Sequence, residues 1–256
     1  MRPPFPLTPA SPAVAVPVAG ADGQDLLERT AAAVAGGADL VEWRLDAWGG
    51  GAAHALAPSA VAELVAALRA ELGGVRVLAT YRSRLEGGPG EADDGEYTDL
   101  LLALVAAGVD AVDVELTRPE EDAAVVVAAA RAAGVVVVGS SHDFSGTPDD
   151  LPSRFRELAR RGADVLKVAV MPESAYDVVR LLDAAVSAHE ATARSVVPVA
   201  MGALGVLTRV AGGLWGAPFT FAMVGEASAP GQLAVADVRA VQNVLARAGT
   251  QPGERA

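Results

Sequence analysis

The sequence predicts an α/β protein whose single domain is a (β/α)8 TIM barrel, and three observations lead to this prediction. Short runs rich in valine alternate along the chain with longer, alanine-rich amphipathic runs, a pattern typical of parallel strands covered by helices. Eight such units can be counted, which favours closure into a barrel over an open doubly wound sheet. The length of 256 residues suits one barrel of this kind.

Each predicted strand is a short, largely β-branched run, and turn residues separate it from the helical run that follows. In chain order the strands are expected at residues 14–19, 38–46, 75–82, 110–116, 135–142, 164–171, 195–201 and 220–224. Helices are expected between them, and a last helix near 231–247. No G-x-G-x-x-G sequence follows the first strand, which argues against a dinucleotide-binding fold.

The two ends of the chain are expected to lie outside the barrel, which would occupy residues 14–247. Residues 1–13 are rich in proline and lack the apolar core of a secretion signal, so they are predicted to form a disordered leader. Residues 248–256 are predicted to form a flexible tail.

Composition narrows the range of partners. A formal net charge of −12 with 4% aromatic residues argues against nucleic-acid binding. The apolar segment 195–225 is interrupted too often by glycine and proline to be a membrane-spanning helix. The absence of cysteine fits a cytoplasmic protein, and three scattered histidines make a zinc site unexpected. We therefore expect a small molecule as the partner.

The predicted strand ends carry charge, which matters because the active site of such a barrel lies at the C-terminal ends of its strands. The second strand reads VEWRLD. Since side chains alternate between the two faces of a strand, Glu42, Arg44 and Asp46 are predicted to point into the barrel. An ionic inward face costs too much desolvation unless its groups pair or bind a polar ligand.

The third and fourth strands repeat this arrangement. The third ends in TYRSRLEGG, which places Arg82 at the rim and Glu86 just beyond it. The fourth, AVDVEL, directs Asp113 and Glu115 inward. These two carboxylates, together with Asp46, are interpreted as a structural ion network beneath the site because they lie deeper than the rim.

The sixth strand, within ADVLKVAVMP, places Lys167 in an apolar run, and Lys167 is the single lysine of the chain. Most strand lysines simply extend their ammonium group to water. A primary amine can also lose its proton and attack a carbonyl group, which a guanidinium cannot do. The fifth strand ends in SSHDF, so His142 and Lys167 can face one ligand across strands about 5 Å apart.

These motifs, followed by VAMGALGVLTR and GEASAPGQ, resemble in order those of the type I 3-dehydroquinate dehydratase family, the Schiff-base enzymes of the shikimate pathway. The resemblance extends over about residues 14–247. It implies a (β/α)8 barrel, frequently a homodimer, that needs neither a metal nor an organic cofactor. The implied reaction is the dehydration of 3-dehydroquinate to 3-dehydroshikimate.

The resemblance also implies roles for individual residues. Lys167 would form an imine with the C3 ketone, and His142 would take a proton from C2 and protonate the departing C1 hydroxyl. Glu86 would orient His142, and Arg209 would bind the substrate carboxylate. The ring hydroxyls would be held by Glu42, Arg44 and Arg82. A lid over the ring would contain Ser228 and Gln232.

Two other functions stay open at this point. A class I aldolase shares the barrel and the lysine imine, but would leave the Glu86–His142 pair and the SAPGQ segment unexplained. A barrel that binds a carboxylate without turnover is the second, and the simultaneous presence of Lys167 and His142 argues against it. One departure from the family pattern is Thr208, where a serine is usual; the hydroxyl group is kept.

Overall fold

The computed structural model describes residues 11–225 and 227–249. Most of the predicted leader (1–13) and tail (248–256) lies outside these residues. Within the described residues, eight strands alternate with eight α-helices. The strands are β1 (Ala13–Val18), β2 (Leu40–Arg44), β3 (Arg76–Thr80), β4 (Ala111–Glu115), β5 (Val136–Asp143), β6 (Val165–Val170), β7 (Ser195–Ala200) and β8 (Phe219–Phe221). The helices are α1 (Gly23–Ala35), α2 (Pro58–Leu72), α3 (Asp94–Ala106), α4 (Glu120–Ala133), α5 (Leu151–Arg160), α6 (Ala175–Thr192), α7 (Val206–Val210) and α8 (Val235–Gly249).

The strands form one parallel sheet in the order β7-β6-β5-β4-β3-β2-β1-β8. Every strand from β1 to β7 pairs with its sequence neighbour, and β1 also pairs with β8. The sheet therefore curls into a nearly closed barrel with β7 and β8 at its two ends. The predicted (β/α)8 barrel is confirmed.

The core has an inner and an outer part because side chains alternate along each strand. Residues of the outer face, such as Val41 and Trp43, pack under the helices. One apolar side chain from each strand fills the lower barrel: Ala15, Leu40, Leu78, Ala111, Val138, Val165, Val197 and Phe219. Two residues further along, several of the inward positions are polar. This change from apolar to polar places the site at the C-terminal end of the barrel.

Local sequence explains where several helices begin. Asp93 and Glu96 form a capping box at the start of α3, and Ser174 and Asp177 form one at α6. Each box satisfies two backbone N–H groups that a helix start leaves unpaired. None of the described helices combines the length and the apolar character needed to cross a bilayer.

Several predicted element boundaries were wrong by two residues or more. Strand β8 is Phe219–Phe221 rather than residues 220–224, and β2 begins at Leu40 rather than residue 38. Strand β2 ends at Arg44 rather than Asp46, because a 3₁₀ helix begins at Leu45. Strand β3 ends at Thr80 rather than residue 82; the backbone N–H of Arg82 donates instead to Asp46 Oδ1 at 3.0 Å. Helix α8 begins at Val235 rather than residue 231. At the ends of β2 and β3, a turn or a side-chain contact thus replaces the regular backbone ladder at the rim.

Candidate active site

A cavity of about 140 Å³ opens at the C-terminal ends of the strands. All nine side chains proposed from the sequence line it: Glu42, Arg44, Arg82, Glu86, His142, Lys167, Arg209, Ser228 and Gln232. These residues are far apart in the chain, so the barrel brings them together. Their charges surround one space of the size of a small organic molecule.

Lys167 lies in the middle of β6, beside Ser140 of β5 and Val197 of β7. Its side chain is 6% exposed, and its Nζ lies 3.5 Å from Asp113 Oδ2 and 3.8 Å from Glu42 Oε1. The same nitrogen lies 4.7 Å from the ring centre of Phe221. The amine is therefore held at the cavity floor by two carboxylates and one aromatic face.

His142 and Glu86 form a hydrogen-bonded pair beside this amine. Glu86 lies in a 3₁₀ turn, Arg84–Glu86, that is closed by Gly87 at φ +80°. His142 Nδ1 lies 2.8 Å from Glu86 Oε2, while Thr117 Oγ1 donates to Glu86 Oε1 at 3.1 Å. Because Nδ1 is occupied, Nε2 is the ring nitrogen left for a ligand in the cavity.

The surroundings shift the pKa of both partners of the pair. Burial lowers the pKa of His142 well below its ordinary value, and the nearby cations Arg82, Lys167 and Arg44 lower it further. Burial raises the pKa of Glu86 to about 8, because the lowering effect of Arg82 is smaller. The protons belong to the pair rather than to one residue. Above about pH 8 the pair holds one proton, which lies on Nδ1, and Nε2 is free to act as a base.

Arg82 connects this pair to the buried carboxylates. Its Nη1 donates to Glu115 Oε1 and to Ser140 Oγ, both at 2.9 Å, and its Nη2 forms an ion pair with Asp113 Oδ1 at 2.8 Å. Glu115 is also paired with Arg118. Asp113 and Glu115 do not line the cavity, which agrees with their interpretation as a network beneath the site.

Arg44 and Asp46 pair with each other at the rim, so Asp46, unlike Asp113 and Glu115, does not lie deeper than the rim, contrary to the expectation from the sequence. Arg44 Nε and Nη2 donate to the two oxygens of Asp46 at 2.9 and 2.7 Å, a bidentate contact. The pairing offsets the cost of burying the two charges. It leaves the guanidinium of Arg44 at the wall of the cavity.

Arg209 is a buried cation without an anionic partner among the described residues. It lies in α7 and is 2% exposed; its Nη2 donates to the carbonyl oxygen of Pro230 at 2.9 Å, and its Nε has no hydrogen-bond partner. Burial lowers the pKa of Arg209 to about 10. A buried guanidinium with an unpaired N–H group is suited to bind a carboxylate ligand.

Thr208 fixes the short helix that carries Arg209. Its Oγ1 accepts from the backbone N–H of Ala200 at 3.1 Å and donates to the carbonyl oxygen of Gly205 at 2.7 Å. The hydroxyl group thus ties α7 to the end of β7. A serine could make the same two bonds, so this departure from the family pattern leaves the site intact.

Ser228 and Gln232 cover one side of the cavity. The backbone N–H of Ser228 donates to Gln232 Oε1 at 2.8 Å, and Gln232 Nε2 donates to Ser228 Oγ at 3.0 Å. Between them Gly231 has φ +75°, and a Cβ atom there would lie 2.3 Å from the carbonyl oxygen of Gly202. Glycine is therefore required for this segment to rest on the β7–α7 loop.

The apolar wall of the cavity was not predicted from the sequence. Phe144, Ala169, Met201 and Phe221 line it together with the charged residues. Apolar side chains at strand ends cannot be told from ordinary core residues in a sequence. Phe221 faces the cavity because it lies two positions after Phe219, whose side chain fills the lower barrel.

Within the described residues, no group of three or more His, Asp and Glu side chains is arranged to hold a metal ion. The titratable groups that line the cavity are an amine, an imidazole, two carboxylates and three guanidinium groups. This set is suited to acid–base and nucleophilic chemistry on a carbonyl compound that carries a carboxylate.

Comparisons with known proteins agree with this chemistry. The model of the family described as type I 3-dehydroquinase matches residues 14–248. A curated 3-dehydroquinate dehydratase of Klebsiella pneumoniae subsp. pneumoniae is 39% identical over 236 residues, which are 91% of this chain and 92% of that protein. Its counterpart in Shouchella clausii is 38% identical over 244 residues, 94% of each chain.

Solved structures show the same relationship. The crystal structure of 3-dehydroquinate dehydratase from Geobacillus kaustophilus has a TM-score of 0.86 and 36% identity, and covers 94% of this chain and 93% of that one. The type I enzyme from Clostridium difficile, solved with covalently modified comenic acid, has a TM-score of 0.88 and 30% identity. The match covers 97% of this chain and 100% of that one. From the family match and these relatives together, we conclude that the chain belongs to the type I 3-dehydroquinase family.

Proposed function

We propose that the protein is a 3-dehydroquinate dehydratase, a hydro-lyase that forms 3-dehydroshikimate and water through an imine on Lys167. The observation that carries this proposal is that the amine of Lys167 and the Glu86–His142 pair line one cavity. Family membership supports it, as do relatives named 3-dehydroquinate dehydratase over most of the chain.

Substrate binding would begin with the carboxylate. Arg209 has planar, parallel N–H donors that match a carboxylate, and its Nε, which has no hydrogen-bond partner, is available to donate to that carboxylate. Arg44, Arg82 and Glu42 would bind the ring hydroxyls. Ser228 and Gln232 would then close over the ring and exclude water.

The covalent step joins the Lys167 nitrogen to the C3 carbon of the ketone. Starting from the ammonium, the carbonyl oxygen leaves as water with two of the nitrogen's protons, and the third proton and the positive charge stay on nitrogen as an iminium ion. The iminium withdraws electrons more strongly than the ketone that it replaces, so the adjacent C2 proton becomes more acidic. Lysine is the residue type that this step needs, because a guanidinium is not a useful nucleophile at neutral pH.

Proton transfer would be carried out by His142. In the form with one proton on the pair, Nδ1–H donates to Glu86 and Nε2 accepts the C2 proton, which leaves an enamine. The enamine expels the C1 hydroxyl, and the proton held on Nε2 goes to that leaving group to make water. Hydrolysis of the remaining imine then frees the product and restores the amine.

The alternatives are less well supported. An aldolase would use Lys167 but has no evident need for the Ser228–Gln232 segment. A carboxylate-binding barrel without turnover would have no use for an amine and a base in one cavity. The relative from Clostridium difficile was solved with a covalently modified ligand, which favours covalent chemistry in this family.

Turnover can be tested directly. Addition of 3-dehydroquinate to the purified chain should give a rise in ultraviolet absorbance as the enone of the product forms. Borohydride added with substrate should reduce the imine and leave a stable adduct. Because Lys167 is the single lysine, digestion and mass spectrometry should find the adduct on its peptide. No absorbance change and no adduct would reject the proposal.

Two further properties belong to this proposal. We propose a homodimer, because members of this family are frequently dimeric, and a cytoplasmic location, because a chain without cysteine suits a reducing compartment. Light scattering of the eluted protein should give twice the mass of 25.8 kDa for a dimer. Fractionation of the source cells tests the location.

A further inference from the structure

Asp113 lies beneath the cavity floor, where a ligand cannot touch it. It is on β4 and is fully buried, and it does not line the cavity. Burial by itself would raise the pKa of Asp113, but Arg82 and Lys167 outweigh that effect and the pKa lies below its ordinary value. Asp113 is therefore a carboxylate anion at neutral pH.

One oxygen of this carboxylate is held in place, and the other faces the amine. Ser140 Oγ donates to Asp113 Oδ1 at 2.6 Å, and Arg82 Nη2 pairs with the same oxygen at 2.8 Å. Oδ2 accepts no hydrogen bond in the described part of the chain. The cation that faces it is Lys167, whose Nζ lies 3.5 Å away.

Glu115, two residues along the same strand, provides the contrast. Its Oε1 accepts from Arg82 Nη1 at 2.9 Å and from the backbone N–H of Ser83 at 2.8 Å. Its Oε2 accepts from Arg118 Nε at 3.3 Å. Both oxygens are thus used within the ion network, and no ion pair joins Glu115 to Lys167 among the described residues. The two carboxylates of β4 therefore differ: Glu115 uses both oxygens within the ion network, whereas Asp113 directs Oδ2 at Lys167.

We propose that Asp113 is a positioning residue for the reaction. Its Oδ2 holds the nitrogen of Lys167 at the cavity floor, first as the free amine or ammonium and then as the iminium. This inference rests on the proposed function, since it concerns the step in which Lys167 attacks a ketone. Ser140 and Arg82 take part by fixing the orientation of the Asp113 carboxylate.

Charge balance explains why one carboxylate can serve both states. When an ammonium and a ketone condense, the carbonyl oxygen leaves as water with two protons from nitrogen. The third proton and the positive charge stay on the iminium nitrogen. The nitrogen therefore carries one positive charge before and after the condensation, at nearly the same place. A fixed anion at 3.5 Å stabilises both states without having to move.

Steady-state kinetics of Asp113→Asn give the first test. We expect kcat to fall about 10- to 100-fold, a range taken by analogy from the loss of carboxylates that orient metal-binding histidines. KM should change little, because Asp113 does not contact the ligand. Ser140→Ala should lower kcat less, because it removes a hydrogen bond to the Asp113 carboxylate but keeps the charge of that carboxylate. Ser140→Ala also serves as the test if the Asp113→Asn protein does not fold. A wild-type kcat in both variants would overturn the inference.

Chemical labelling tests the same contact without the substrate. Formaldehyde forms an imine with an accessible amine, losing its oxygen as water, and cyanoborohydride reduces the imine to a methylamine. In Asp113→Asn the nitrogen of Lys167 loses the contact that holds it at the cavity floor, so it should be more accessible and should be labelled faster than in the wild type at pH 7. The N-terminal amine in the same sample is the internal reference. Labelling at the wild-type rate or slower would overturn the inference.

Glu115→Gln is the matched variant for labelling. It also neutralises a buried carboxylate on β4, but one that makes no ion pair with Lys167 in the described part of the chain, so the labelling rate of Lys167 should stay near that of the wild type. An increase as large as that of Asp113→Asn would assign the effect to the network as a whole and overturn the inference. If the wild type does not dehydrate 3-dehydroquinate, the proposed function fails, while labelling still decides whether Asp113 holds the amine.

Discussion

Replacement of Arg209 by methionine should make the protein more stable and, at the same time, unable to bind substrate tightly. Burial lowers the pKa of Arg209 from 12.5 to about 10. At 1.36 kcal/mol for each pKa unit, the folded state is destabilised by about 3 kcal/mol at any pH below 10, where the side chain is charged in both the folded and the unfolded state. The penalty disappears only as the pH rises from about 10 towards 12.5.

The variant removes this penalty but also removes one hydrogen bond, from Arg209 Nη2 to the carbonyl oxygen of Pro230. Pro230 is exposed, so water can replace that donor, and the loss is about 1 kcal/mol. The net gain expected in the free energy of unfolding is then about 2 kcal/mol. Guanidinium chloride unfolding at pH 7 measures it.

Substrate binding should change in the opposite direction. Loss of a charge-assisted, bidentate contact to the carboxylate should raise KM about 10- to 100-fold, and ligand should no longer raise the unfolding midpoint as it does for the wild type. Arg156→Met is the control, because Arg156 is exposed on α5 and should change stability by less than about 0.5 kcal/mol. A less stable Arg209→Met protein with an unchanged KM would refute the reasoning.

Three other predictions concern the rest of the site. Burial raises the pKa of Glu86 to about 8, so the Glu86–His142 pair holds an extra proton below that pH. A pH–rate profile should therefore show kcat/KM falling as the pH drops below about 8. Glu86→Gln should lower kcat about 10- to 100-fold, and its kcat/KM should no longer depend on pH in this range. Lys167→Arg keeps the charge but should show no turnover and no borohydride adduct, with an unchanged circular dichroism spectrum; measurable turnover would contradict the role of the amine. Gly231→Ala places a Cβ atom 2.3 Å from the Gly202 carbonyl oxygen at φ +75°, so the Ser228–Gln232 segment should be displaced and KM should rise; a wild-type KM would show that this segment does not cover the ligand.

Much of the fold and of the cavity lining could be predicted from the sequence for identifiable reasons. The alternation of valine-rich and alanine-rich runs gave all eight strands. The period of two within VEWRLD and AVDVEL separated the residues that face the helices from those that face the barrel, because successive side chains of a strand point to opposite faces. The uniqueness of Lys167 in a chain of arginines marked the amine, and the order of the motifs marked the family.

Other features could not be predicted because they depend on contacts between distant segments. The end of β3 is one, since Arg82 leaves the ladder to donate its backbone N–H to Asp46, 36 positions earlier. The 2.8 Å contact of Glu86 with His142 is another, because it joins residues 56 positions apart. Propensity and periodicity describe neighbours within one element and carry no information on such distances.

The sequence by itself determined that this chain forms a barrel, which faces of β2 and β4 point inward and which residue types meet at the mouth of the barrel. Only the tertiary structure decided that Asp113 directs a free oxygen at Lys167 while Glu115 does not, and that Arg209 has no carboxylate beside it in the described residues. The physical reason is that alternation fixes the direction of a side chain within its strand. The stagger and closure of the eight strands fix which side chains from different strands come within bonding distance.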